Sequence, residues 1–145
     1  MACPFFHATE RLNERQETRP MPLGDLYAGE CHAQADGYRP NEAQLRSLCN
    51  LGYARDVCPR FPKDAASDAV RFSISRDERL SFTISYVEER DHRPGEHGRL
   101  EYQVAGQRFV KPHANQIVNR LAEAYAEAYL RRRAQAGRPA LRAAQ

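Results

Sequence analysis

The chain has 145 residues, 41% of them hydrophobic, enough for one domain with a real core and too apolar for a disordered segment. Lys and Arg outnumber Asp and Glu by 22 to 19, and a formal charge of +3 is too small to point to nucleic acid as a partner. No apolar run approaches the roughly 20 residues that cross a bilayer and the amino terminus lacks the regions of a secretory signal, so no membrane insertion and a cytoplasmic location are expected.

In chain order, Pro4, Pro20, Pro22 and Pro40 with Gly24, Gly29 and Gly37 break up the first 40 residues, whose apolar positions keep no helical or strand period. This part reads as ordered loop, with a short helix possible within Thr9 to Glu17, capped by Thr9. Asn41 precedes Gln44 by three positions, a capping-box pattern, and Leu45 with Leu48 gives one apolar face to a helix running through about Cys49 and ended by Gly52. The segment Val57-Cys58-Pro59-Arg60-Phe61-Pro62 is then expected to run extended, because its prolines forbid helix.

From Val70 the period becomes two. Val70, Phe72 and Ile74 alternate with Arg71, Ser73 and Ser75; after a turn around Arg76 to Arg79, Leu80, Phe82, Ile84 and Tyr86 alternate with Ser81, Thr83 and Ser85. This predicts a β-hairpin with one buried face, a polar loop from Glu88 to Gly98, a third strand carrying Leu100, Tyr102 and Val104, and a short fourth at Arg108 to Val110. Pro112 is placed for a helix start, and Ile117, Leu121, Ala124, Tyr125, Ala128 and Tyr129 recur at intervals of three and four. Arg131, Arg132 and Arg133 suit the end of that helix, and Gly137 and Pro139 are expected to stop it.

The predicted fold class is α+β: an antiparallel three- to four-stranded meander packed on a long carboxy-terminal helix, with a loop-rich, cysteine-bearing amino-terminal segment wrapped on one side. Residues 1–66 form the cysteine-rich part, 67–137 the sheet and helix, and 138–145 a basic tail, together one integrated domain without an internal repeat.

The chemistry concentrates in four cysteines, Cys3, Cys31, Cys49 and Cys58, with 27, 17 and 8 residues between them and proline directly after the first and last. In a reducing compartment such a set reads as metal ligands or redox thiols rather than disulfides. Zinc sites in small domains take ligands as close C-x2-4-C pairs, which are absent here. A [4Fe-4S] cluster takes four thiolates, and proline after a ligand cysteine also closes the bacterial ferredoxin run, although the C-x2-C-x2-C spacing of that run is missing. The leading expectation is one [4Fe-4S] cluster held by Cys3, Cys31, Cys49 and Cys58, with structural zinc as the alternative and a Cys49/Cys58 thiol switch third.

Phe5, Phe6, Leu26, Tyr27, Leu51, Tyr53 and Phe61 flank the cysteines, either as a shell that excludes water or as ordinary core. His7 and His32 are candidates to replace a thiolate, although His32 adjoins Cys31 and adjacent side chains diverge. His92 and His97 with Glu88, Glu89, Asp91 and Glu96 read as a solvated hairpin loop first, and as an ion site or acid–base pair second. Arg131 to Arg133 with Arg138 and Arg142 read as a helix end first, and as a phosphate or acidic-partner contact second.

No phosphate loop, dinucleotide fingerprint, nucleophile elbow or serine–histidine–acid set can be assigned. With every iron position taken by a thiolate no place remains for a substrate. Electron transfer, redox sensing or an accessory role beside a protein redox partner is therefore expected over catalysis. The alternative is a zinc-stabilised module that binds nucleic acid or an acidic protein surface.

Overall fold

A computed structural model describes residues 1–12 and 21–143. The elements are β1 (Phe6–Arg11), β2 (Tyr27–Cys31), α1 (Glu42–Gln44), which continues into one π-helical turn (Leu45–Cys49), β3 (Ala69–Asp77), β4 (Ser81–Arg90), β5 (Arg93–Gln103), β6 (Arg108–Phe109) and α2 (Gln116–Ala143). Strands β3-β4-β5-β6 form an antiparallel meander, and β1 pairs with β2 in a separate two-stranded sheet.

The alternation expected from the sequence supplies the buried face of the larger sheet. Val70, Phe72, Phe82, Ile84, Leu100 and Tyr102 are buried, and they share one core with Val118, Leu121 and Ala122 of α2. Helix α2 touches β1 as well as β3 and β4, and its alanines at 122, 124, 126 and 128 are buried. Small side chains let the two sheets approach the helix closely. The core cluster includes Ala2, Cys3 and Phe6, so the cysteine-bearing segment and the sheet share one interior.

The amino-terminal part departs from the loop expected of it. Phe6 to Arg11 and Tyr27 to Cys31 are paired strands, and Phe6, Ala8, Tyr27 and Gly29 are buried. A bulge between Ala8 and Glu10 interrupts the alternation that would have exposed the pattern. Gly29 is not a breaker here: a Cβ at that position would stand 2.1 Å from the His7 carbonyl oxygen, so the close approach of β1 requires glycine. Thr9 lies within β1 and caps no helix. The rest of the helix expected there, 13–17, lies outside the described residues.

The span from Glu88 to Gly98 is also strand rather than loop. Strands β4 and β5 run on to Arg90 and Arg93 and are joined by Asp91 and His92, both at positive φ, 52° and 62°. That is the primed geometry that fits the twist of a hairpin. Leu80 lies in the preceding turn and is 73% exposed rather than on the core face.

The capping box forms as expected: the Gln44 N–H donates to Asn41 Oδ1 and the Asn41 N–H to Gln44 Oε1, each at 2.9 Å. Gly52, at φ 80°, ends the following turn with its N–H on the Leu48 carbonyl at 2.8 Å. Helix α2 begins four residues after Pro112 and is capped by Asn115, whose Oδ1 accepts from the N–H groups of Ile117 (2.8 Å) and Val118 (3.2 Å). It continues through Ala143 past Gly137 and Pro139, where a stop and a separate tail were expected. An internal proline removes one backbone hydrogen bond, and the remaining ladder can carry the helix beyond it.

Candidate cysteine site

Two segments share the pattern Cys-Pro-x-Phe: Cys3-Pro4-Phe5-Phe6 and Cys58-Pro59-Arg60-Phe61. In each, the second aromatic position (Phe6 or Phe61) donates its N–H to the cysteine carbonyl at 3.1 Å. Proline thus sits at the second position of a β-turn, where its fixed φ is favourable. The Cys58 segment is therefore a succession of turns rather than an extended run, and the Val57 and Cys58 N–H groups both reach the Ala54 carbonyl, at 3.0 and 2.7 Å. The two turns face each other: Phe5 meets Phe61 edge-on with ring centroids 5.5 Å apart.

Main-chain bonds bring in the other two cysteines. Ala2 and Val70 exchange N–H···O bonds of 2.8 Å, which seats the amino terminus on β3, and the Cys3 N–H donates to the Cys49 carbonyl at 3.0 Å. Cys31 ends β2 opposite Phe6, with its N–H on the Tyr38 carbonyl at 2.7 Å. Asn50, fully buried, accepts from the Tyr27 N–H (3.1 Å) and donates to the carbonyls of Tyr27 (3.0 Å) and Leu45 (2.9 Å). One side chain thereby clamps the start of β2 to the helical turn that carries Cys49.

All four cysteines line one apolar pocket that opens to solvent. Phe5, Phe6, Leu48, Ala54 and Phe61 supply its apolar walls; Tyr38, Gln44 and Arg60 complete the rim. The four are free thiols. Burial pushes both the Cys3 and the Cys49 thiol up to about 12, and the neighbouring cysteines add to the effect. Thiolates are disfavoured in such a place until a cationic ligand compensates them. Among the described residues no group of three or more His, Cys, Asp or Glu is arranged to hold a single metal ion.

The remaining candidates separate from this site. His7 and His32 stack on each other, centroids 5.0 Å apart, and neither lines the cavity. Of the flanking aromatic and aliphatic residues, Phe5, Phe6 and Phe61 line it, whereas Tyr27 is buried with its hydroxyl on the Ala124 carbonyl at 3.0 Å and Leu51 is 39% exposed. Tyr53 stacks on His92 and donates to Glu89 at 2.5 Å. Glu88 is pushed up to about 7 by burial and by the neighbouring Glu96 carboxyl. These hairpin residues are thus spread along two strands, not gathered around an ion.

Arg131 and Arg133, expected at the helix end, lie within α2 well short of its end at Ala143 and are bound back onto the fold. Arg131 pairs with Asp25 and with the Tyr27 hydroxyl, and Arg133 pairs with Asp77 at 2.7 Å and with the carbonyls of Glu78 and Arg79. The sequence did not single out Arg60 or Tyr38, both on the cavity rim. The repeated Cys-Pro-x-Phe pattern was the available signal, because it sets Arg60 where the first copy has the cavity-lining Phe5.

Among the described residues no helix is long and apolar enough to cross a membrane. No protein-family model matches the chain, and comparison with curated proteins and with solved structures finds no match.

Proposed function

We propose that this chain binds one [4Fe-4S] cluster through Cys3, Cys31, Cys49 and Cys58 and acts in electron transfer or redox sensing. The observation that carries the reading is the gathering of four free cysteines, from four separate segments, around one apolar cavity. Cysteines serving only as small hydrophobes have no reason to converge, whereas these four line a single pocket, although Cys3, Cys49 and Cys58 belong to the core or pack against it. Zinc needs four donors on one tetrahedral centre. A cluster spreads its four thiolate ligands over separate irons.

Bound there, the cluster would supply a one-electron couple. The chain's own part is to hold and shield it. Phe5, Phe6 and Phe61 exclude water from the sulfurs, the two Cys-Pro turns fix the first and last ligands, and the buried thiols give up their protons on ligation. Four protein thiolates leave no iron position for a substrate, which favours electron transfer or sensing over catalysis. A protein redox partner and a reducing cytoplasm belong to the same proposal.

The test is metal and sulfide analysis of anaerobically purified protein, with its visible spectrum. Iron and acid-labile sulfide in equal amounts with broad brown absorption are expected. Stoichiometric zinc without colour would replace this reading with a zinc-stabilised module, and absence of both metals would leave a thiol switch.

A further inference from the structure

Arg60 is the one charged side chain among the described residues lining the cysteine cavity. Its guanidinium lies 4.2 Å from the centroid of the Tyr38 ring, and Nη2 donates to both oxygens of Asp36 at 2.5 and 2.6 Å. The outer edge of the group is thus anchored on a carboxylate that is 48% exposed, while the arginine itself is only 20% exposed. Nε is buried with no hydrogen-bond acceptor among the described residues, and the guanidinium has a side-chain hydrogen bond with Cys31.

A buried N–H without an acceptor is costly, and an orphan on the wall of a cavity points to an acceptor that a ligand brings. We infer that Arg60 donates through Nε to a sulfur of the bound cluster and sets its reduction potential. This deepens the [4Fe-4S] reading and rests on it. A cluster ligated by four thiolates is anionic, and one-electron reduction makes it more so without making or breaking a bond. A fixed cation and a hydrogen bond to sulfur stabilise the reduced form more than the oxidised form, which raises the potential. Tyr38 and Asp36 hold the guanidinium in place, and Asp36 offsets part of its charge.

The experiment is an anaerobic redox titration of cluster-loaded protein with dithionite as electron donor, followed by electron paramagnetic resonance. Arg60→Gln, its iron and sulfide content assayed alongside, is expected to shift the equilibrium at least tenfold toward the oxidised form, about 59 mV downward for a one-electron couple. Arg60→Lys, which keeps the charge and loses Nε, should fall between the two. Asp36→Asn removes the offsetting carboxylate at the surface and should move the potential upward, a sign that a merely structural role would not produce. A loaded Arg60→Gln protein within twofold of the wild type overturns the inference. If that variant does not load, Asp36→Asn decides: an unchanged or lowered potential overturns it. Wild-type protein lacking iron and sulfide overturns the site reading and this inference together, whereas loaded wild type with unmoved variants overturns this inference alone.

Discussion

The backbone N–H of Cys3 donates to the carbonyl of Cys49 at 3.0 Å, so these two cysteines are joined through the main chain whatever lies between their thiols. One residue earlier, Ala2 is paired with Val70 of β3. The site is thus continuous with the sheet, and its cysteines and the core are held by the same bonds. For the proposed cluster, loss of iron and loss of stability should accordingly travel together.

Each Cys→Ser change at Cys3, Cys31, Cys49 or Cys58 should lower iron content and melting temperature in parallel, because a site drawn from remote segments couples ligand binding to folding. Deleting Met1 to Cys3 should be worse than Cys3→Ser, since it also removes the Ala2–Val70 pair. Iron assays beside thermal melts check this. Four single variants that all load fully would rule out a four-thiolate site.

Asn50→Ala should cost about 3 kcal/mol, because it strands the buried N–H and carbonyl of Tyr27 and the carbonyl of Leu45. It should also reduce iron content although Asn50 does not line the cavity. Urea melts and iron assays would show both effects; a variant as stable as the wild type would mean that the Asn50 clamp is not what holds β2 to the Cys49 turn.

The parts of this fold legible in the sequence are those with one face in the core. Phe72, Phe82, Ile84, Leu100 and Tyr102 repeat with period two because alternate positions meet α2 or solvent. Where β4 and β5 extend beyond the core, Arg93 to His97 are exposed and no alternation remains to read; their turn is Asp-His rather than the more familiar Asp-Gly. In β1 a bulge breaks the period, and Gly29, needed for close approach to His7, looks like a breaker.

The cysteines were legible as a set from residue type alone, but their meeting depends on bonds between distant segments, such as Cys3 to Cys49 and Tyr27 to Asn50. Arg60 was hidden for the same reason. Its partners Asp36 and Tyr38 lie more than twenty positions away, and only the folded chain brings them to the cavity rim.

The hairpin register gives a sharper test of the scaffold. Phe82 and Leu121 are 1% and 0% exposed, so Phe82→Ala and Leu121→Ala should each cost about 2 to 5 kcal/mol. Thr83, paired with Arg76 and Glu101 and outside the core cluster, should tolerate alanine at about 0.5 kcal/mol or less. Equal losses at Phe82 and Thr83 in denaturant melts would mean a one-residue slip, which exchanges the two faces.

Glu88 provides the pH dependence. Its carboxyl is raised from 4.5 to about 7 in the folded protein, by burial first and then by the Glu96 carboxyl that shares a hydrogen bond with it. The folded state therefore holds this proton more tightly than the unfolded chain does. The stability linked to it is fully present below 4.5 and is lost as pH rises through about 7. The strands around it border solvent, so screening keeps the loss to about 1 kcal/mol. Glu88→Gln, whose amide can still hydrogen-bond and cannot ionise, should remove this component. The difference between wild type and variant in urea midpoint should then grow between about pH 5 and about pH 8, in favour of the variant. A constant difference across that range would show that the two carboxyls do not share a proton.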